Sequence, residues 1–131
     1  MDLYFSIIIP TYKRVEILDK NLSFLEHGQQ NQFALVNNQG SEFTLTNYEV
    51  IVSDDNYPEA RDKLCLKYPW VKWLRGPKKG PAANRNQGAK KALGEWLIFI
   101  DDDCEPTSSL LHGYFLTTKE KNSKVIENIR K

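Results

Sequence analysis

The chain has 131 residues and a formal net charge of +1, enough for one domain of ordinary size and too little charge to attract nucleic acid or an anionic membrane. Apolar residues make up 40% and aromatics 11%, which is sufficient for a core, yet no apolar run approaches a membrane span and there is no internal repeat. Two cysteines, Cys65 and Cys104, show neither metal-ligand spacing nor a disulfide framework, and Met1 to Ser6 lack the basic region of a signal peptide. The expected location is the cytoplasm, or the inner face of the membrane as a peripheral protein.

In chain order, Leu3 to Ile9 is a continuous apolar run that predicts a buried strand, ended by Pro10. Val15, Leu18, Leu22 and Leu25 recur at helical spacing and predict a helix to about Glu26. Residues 27–47 are polar, with short apolar islands, and read as a surface excursion that can hold a small hairpin. Tyr48 to Val52 predicts a second strand, running into Ser53-Asp54-Asp55-Asn56, and Pro58 opens a helix to about Lys67. Val71 to Leu74 predicts a third strand. A loop at 76–80 follows, then a helix from Pro81 that Gly94 ends, with Ala82, Ala83, Ala89, Ala92 and Leu93 as a small-residue face against a sheet. Trp96 to Ile100 predicts a fourth strand, and Thr107-Ser108-Ser109 caps a last helix. His27 and His112 are isolated and read as structural or solvated.

Fourfold strand–helix alternation predicts an α/β fold, a Rossmann-like, mainly parallel sheet with flanking helices. Right-handed crossovers then place every strand's carboxyl end on one rim. Asp101-Asp102-Asp103 directly follows the fourth strand. Taken alone, the triplet is equally a solvated turn or a seat for a hard divalent cation such as Mg²⁺ or Mn²⁺. Asp54-Asp55 ends the second strand on the same rim, and two acidic clusters there favour a ligand site. Arg75, Lys78 and Lys79 follow the third strand. Carboxylates for a cation beside cationic side chains suggest a phosphorylated ligand.

Four segments then resemble one family. Ser6-Ile7-Ile8-Ile9-Pro10-Thr11-Tyr12-Lys13-Arg14, Tyr48 to Asp55, Gly80 to Gly88 (as G-x-x-x-x-R-N-x-G) and Gly94 to Asp103 (carrying D-x-D) resemble, in order, motifs of family-2 inverting glycosyltransferases of the GT-A fold. Together they cover the chain from residue 4 to about 106. The resemblance implies the N-terminal, nucleotide-diphosphosugar-binding half of that fold, a UDP-sugar donor by family frequency, Mn²⁺ or Mg²⁺, and a saccharide or other hydroxyl acceptor. Thr11 would sit by the base, Asp55 would accept from it with Asp54 beside it, Asp101 would meet the ribose or the metal shell, and Asp103 would hold the cation. Asp102 takes the variable middle position. Tyr12, Lys79, Arg85 and Asn86 complete the expected donor-binding set. Capping and orienting the loop is an alternative role for Arg85 and Asn86, as a solvated loop is for Lys78 and Lys79.

Two local departures are Asn56-Tyr57-Pro58 where the family commonly has Gly-Ser, and the long 27–47 connection. A larger one is that no acceptor half or catalytic base is recognisable after D-x-D. The expected reading is a glycosyltransferase truncated before its acceptor half, as a cut piece or a truncated gene product. The resemblance also implies strand order 3-2-1-4, which leaves Trp96–Ile100 with one partner and an edge that the helix from about Ser108 and the 119–131 tail can cover only in part, and so predicts self-association or marginal stability. A nucleotidyltransferase is a rival, but Pro10 to Arg14 replaces its glycine-rich basic loop. The G-x-x-x-x-G-K-[ST] phosphate loop is absent. A non-catalytic nucleotide-binding module remains an alternative of a different class.

Overall fold

The computed structural model describes residues 3–30, 34–36, 42–44, 47–118 and 125–127. Its centre is a five-stranded, all-parallel sheet. Strands β1 (Phe5–Thr11), β4 (Tyr48–Asp54), β5 (Val71–Arg75), β6 (Trp96–Phe99) and β7 (Val125–Glu127) lie in the order β5-β4-β1-β6-β7. Helices α1 (Val15–Ser23), α2 (Glu59–Leu64), α3 (Pro81–Lys91) and α4 (Leu110–Thr118) connect them. The small hairpin expected within 27–47 is present as the antiparallel pair β2 (Ala34–Val36) and β3 (Glu42–Thr44). Residues 31–33, 37–41 and 45–46 of this stretch lie outside the described residues.

Alternation along the strands sorts the two faces. Phe5, Ile7 and Ile9 of β1, Tyr48, Val50 and Val52 of β4, and Trp96 and Ile98 of β6 point one way and pack with Leu18 and Leu22 of α1, Leu64 of α2 and Leu111 and Phe115 of α4. Each such side chain, buried fully, contributes about 1.5–3 kcal/mol. Ile8 and Ile51, also buried, point the other way. Against that face lies α3, so close that a Cβ on Gly88 would fall 2.5 Å from Cγ2 of Ile8. The close approach expected of this helix is therefore real, but Asn84 and Gly88 are its buried residues. Ala82 and Leu93 are exposed, contrary to the small-residue face expected from the alanines.

Four further boundaries differ for physical reasons. Pro10 lies inside β1, because β1 pairs with β4 through Thr11 but with β6 only to Ile8. Ile8 accepts from Ile100 N–H, so Pro10, two residues on, turns its missing donor to the side where pairing has stopped. Helix α1 ends at Ser23, where Phe24 and Leu25 N–H bond back three residues to Asn21 and Leu22. Gly94 does not end α3, which stops at Lys91. It lies on the backbone of β1, where a Cβ would meet Ser6 N at 2.6 Å. Finally, the outer edge of the fourth strand is not open. Leu97, Ile98 and Phe99 pair in parallel with Val125, Ile126 and Glu127, so the exposed edge expected to drive self-association is covered by β7. Among the described residues no helix is long and apolar enough to cross a membrane.

The order reverses at β1. From there the chain builds outward through β4 to β5, then returns to add β6 and β7 on the other side. The carboxyl ends of β1 and β6 therefore flank a topological switch point, where an open parallel sheet forms its ligand crevice.

Candidate functional site

A cavity of about 750 Å³ opens at that crevice. Its walls come from the ends of four elements: Pro10 to Arg14 at the end of β1 and the turn beyond it, Asp55 and Asn56 after β4, Lys78, Gly80, Pro81 and Asn84 from the β5–α3 loop and the start of α3, and Asp101 to Asp103 after β6.

On the β4 side, Asp55 is held from two directions. Its N–H donates to Thr11 O at 3.0 Å, and its Oδ1 accepts from Lys78 N–H at 2.8 Å. Lys78 adopts a left-handed φ of 59° to present that N–H, a conformation that costs an ordinary residue about 1–2 kcal/mol. Gly76 makes room beneath: a Cβ there would lie 2.2 Å from Asp55 Oδ1 and 2.6 Å from Asn84 Oδ1. Asn84 is buried, donates from Nδ2 to Thr11 O at 3.3 Å, and its Oδ1 has no hydrogen-bond partner.

On the β6 side, Asp102 is the fixed member of the triplet. Oδ2 accepts from Thr11 Oγ1 at 2.8 Å, Oδ1 lies 3.3 Å from Arg14 Nη1, and the backbone carbonyl accepts from Asn21 Nδ2 at 2.8 Å. Burial pushes the Asp102 carboxyl above its ordinary range. The Thr11 hydroxyl and Arg14 act against that rise, and Asp103 and Asp101 add to it. Asp103 Oδ2 lies 3.4 Å from the same Arg14 nitrogen, and its side chain is 29% exposed. Tyr12 stands exposed at the mouth, with Lys13 Nζ 5.2 Å from its ring centre.

Of the residues expected from sequence, Thr11, Tyr12, Asp55, Asp101, Asp102 and Asp103 line the cavity. Asp54 does not. Its carboxylate accepts from Asn56 and Ala60 N–H, at 2.7 and 3.2 Å, and so satisfies the start of α2. Lys79, Arg85 and Asn86 also lie off the lining, whereas Lys78 and Asn84 are on it. Sequence reasoning missed Asn84 and Arg14. Asn84 stands one helical turn before Gly88, a spacing that puts both on the sheet-facing side of α3 and turns Arg85 and Asn86 away.

No group of three or more His, Cys, Asp or Glu among the described residues is arranged to hold a metal ion. The rim nevertheless fits a hard cation in part. Asp101 and Asp103 face the cavity, and Asp103 already holds a cationic group of the chain's own. One or two carboxylates completed by phosphate and water is a usual Mg²⁺ set.

A parallel α/β sheet with an acid-lined crevice at its switch point has the architecture in which open α/β folds bind their ligands. Residues 6–126 match glycosyl transferase family 2, and the chain belongs to that family. It is 30% identical, over 94% of its length, to a GalNAc(5)-diNAcBac-PP-undecaprenol beta-1,3-glucosyltransferase of Campylobacter jejuni, of which it spans 37%. It is 32% identical, over 96% of its length, to a chondroitin synthase of Pasteurella multocida, of which it spans 12%. Among solved structures, Staphylococcus aureus TarS 1–349 in complex with UDP superposes over 90% of this chain and 32% of its own, with a TM-score of 0.68 and 26% identity. A Pyrobaculum calidifontis mannosyltransferase in complex with GDP-Man and Mn²⁺ shares the fold, with a TM-score of 0.57 and 20% identity over 79% of this chain and 28% of its own. The fold is the N-terminal part of a GT-A glycosyltransferase.

Proposed function

We propose that this chain binds the nucleotide-diphosphosugar donor of a glycosyl transfer, with UDP-sugar favoured, and that it uses a divalent cation to do so. The observation that carries the reading is the pairing, across one crevice, of a fixed carboxylate at Asp55 with the acidic rim at Asp101 and Asp103. The UDP complex of TarS and the names of the relatives support it.

In this reading Asp55, oriented by Lys78 N–H, accepts an N–H of the base, with Thr11 and Tyr12 beside it. Asp101 would take a ribose hydroxyl or join the metal shell, and Asp103 with Asp101 would hold Mn²⁺ or Mg²⁺. The bound cation supplies Lewis-acid stabilisation of the leaving diphosphate. Asp102 lines the cavity but has a different task. It ties β6 to Thr11 and Asn21 and so fixes the backbone from which Asp101 and Asp103 project. Asp54, Lys79, Arg85 and Asn86 fall outside the proposed contacts.

Inverting transfer is a single displacement that also needs a base within reach of the acceptor hydroxyl. The chain spans 37% of the Campylobacter relative and 32% of TarS 1–349. We assign the base and the acceptor, a saccharide or another hydroxyl compound, to an acceptor half of the kind such relatives have room for.

Calorimetric titration with UDP, with and without Mn²⁺, tests the reading. Binding should be tighter with the metal. Asp103→Asn should remove that metal effect, and Asp55→Asn should weaken binding in both conditions. Failure of UDP and of other nucleoside diphosphates to bind would refute it.

A further inference from the structure

Arg14 is the last residue before α1 and follows Lys13, whose left-handed φ of 55° turns the chain sharply at the end of β1. The turn brings Arg14 across the switch point to the end of β6, 88 positions away. Its Nη1 sits between two carboxylates, 3.3 Å from Asp102 Oδ1 and 3.4 Å from Asp103 Oδ2.

The two partners differ in a way that suggests motion. Asp102 is buried and locked by Thr11 and Asn21, so it is a fixed anion. Asp103 is more exposed and faces the cavity. The Arg14 side chain is itself 54% exposed, so its pairing with Asp103 is easily exchanged. A second cation at Asp103 would repel the guanidinium. A diphosphate would attract it, because a guanidinium fork matches phosphate oxygens in pairs.

Building on the donor-site reading above, we propose that Arg14 is the resident counter-ion of the donor site. Without ligand it neutralises Asp103. When the donor enters, it releases Asp103 and closes on the diphosphate, still tethered by Asp102. One guanidinium then couples two ligands. A divalent cation alone must compete with Arg14 for Asp103, and a nucleoside diphosphate draws that competitor away. Each ligand raises the affinity of the other.

The test is to measure Mn²⁺ binding alone, from the electron paramagnetic resonance of free Mn²⁺, and UDP binding alone in the presence of chelator. Both are run on the wild-type chain, Arg14→Gln and Arg14→Lys. In Arg14→Gln, Mn²⁺ alone should bind about three- to fivefold more tightly, the size an exposed ion pair supports. In the same variant UDP alone should bind about tenfold more weakly, the size of one charge-assisted contact. Arg14→Lys should recover part of the UDP affinity. A merely structural Arg14 would move both affinities downward together. That result, or no change in either, would overturn the inference while leaving the donor reading intact. A wild-type chain that binds no nucleoside diphosphate at all would overturn both.

Discussion

Thr11 Oγ1 donates to Asp102 Oδ2 at 2.8 Å, and this one hydrogen bond joins the carboxyl ends of β1 and β6 across the switch point. The same residue's carbonyl accepts from Asp55 N–H and Asn84 Nδ2, so Thr11 ties its own wall of the cavity to the other three. Replacing Thr11 with Val keeps its shape and leaves a buried carboxylate short of a donor. Such a loss costs about 1–3 kcal/mol. Urea unfolding should show a fall of that size for Thr11→Val, with Thr11→Ser close to wild type. Equal stability of all three would mean that the bond contributes nothing net.

Gly76 lies beneath the Asp55 carboxylate with no room for a methyl group. In Gly76→Ala the new Cβ would overlap Asp55 Oδ1 and approach Asp55 Cα at 3.0 Å, so the carboxylate must leave its seat on Lys78 N–H. Overpacking of this kind costs about 1–3 kcal/mol. UDP affinity should fall about tenfold, because the moved group is the proposed base reader and a charge-assisted hydrogen bond is worth about that much. Unchanged UDP affinity in the folded variant would remove Asp55 from the site.

How far the sequence revealed this site depended on what each step required. The acidic rim was legible because a short apolar run ending in carboxylates means the same thing in any parallel sheet. The resemblance alone gave Asp55 the base and kept Asp54 beside it; that Asp54 leaves the lining was not legible, since neighbours at a strand end point to opposite sides and only the ladder's phase decides which one meets α2. The phase of α3 was similarly hidden. Nothing local shows that Gly88 rests on Ile8, and that contact selects Asn84 over Arg85 and Asn86. Arg14 was invisible because its meaning lies in residues 88 positions away. The fifth strand was missed because three residues in a charged tail carry no periodic signal.

At the opposite end of the sheet, Glu49 organises a second polar cluster. It accepts from Ser6 Oγ at 2.5 Å, Leu93 N–H at 2.6 Å and Lys72 Nζ at 2.8 Å. Burial alone would raise its pKa, but Lys72, Ser6 and the Leu93 amide together hold it below its ordinary 4.5. A carboxylate depressed in the folded state contributes stability that is present above its unfolded pKa and is lost as pH falls through the folded one. Stability should therefore drop as pH falls below about 4.5, and Glu49→Gln should show a shallower drop over that range. Parallel curves for the two proteins in a pH series of denaturant melts would exclude Glu49 as the source.

The proposed division of labour makes a kinetic prediction. Asp101, Asp103 and Asp55 serve the donor, and no described residue is assigned to deprotonate an acceptor. The 131-residue chain should bind UDP-sugar with Mn²⁺ yet give no measurable transfer to a saccharide acceptor. Slow release of free sugar to water is compatible with this, since leaving-group stabilisation needs no acceptor. Robust transfer by the purified chain, followed by chromatography of the products, would show that a base lies within this sequence.

The pairing of β6 with β7 sets the last prediction. Leu97, Ile98 and Phe99 have β1 on one side and Val125 to Glu127 on the other, so both edges of β6 are satisfied within the chain. Removing residues 125–131 would strip one side and leave a row of unpaired backbone groups beside the half-buried side chains of Leu97 and Phe99. An open strand edge recruits another strand, and another copy of the chain is the nearest source. The shortened chain should therefore associate more strongly than the full one, and light scattering across a concentration series should show a rise in mass confined to it. The proposed donor site lies at the strand ends, away from this edge, so UDP should still bind the fraction that stays monomeric. If the shortened chain scatters as the full one does, β7 contributes nothing to closing the sheet.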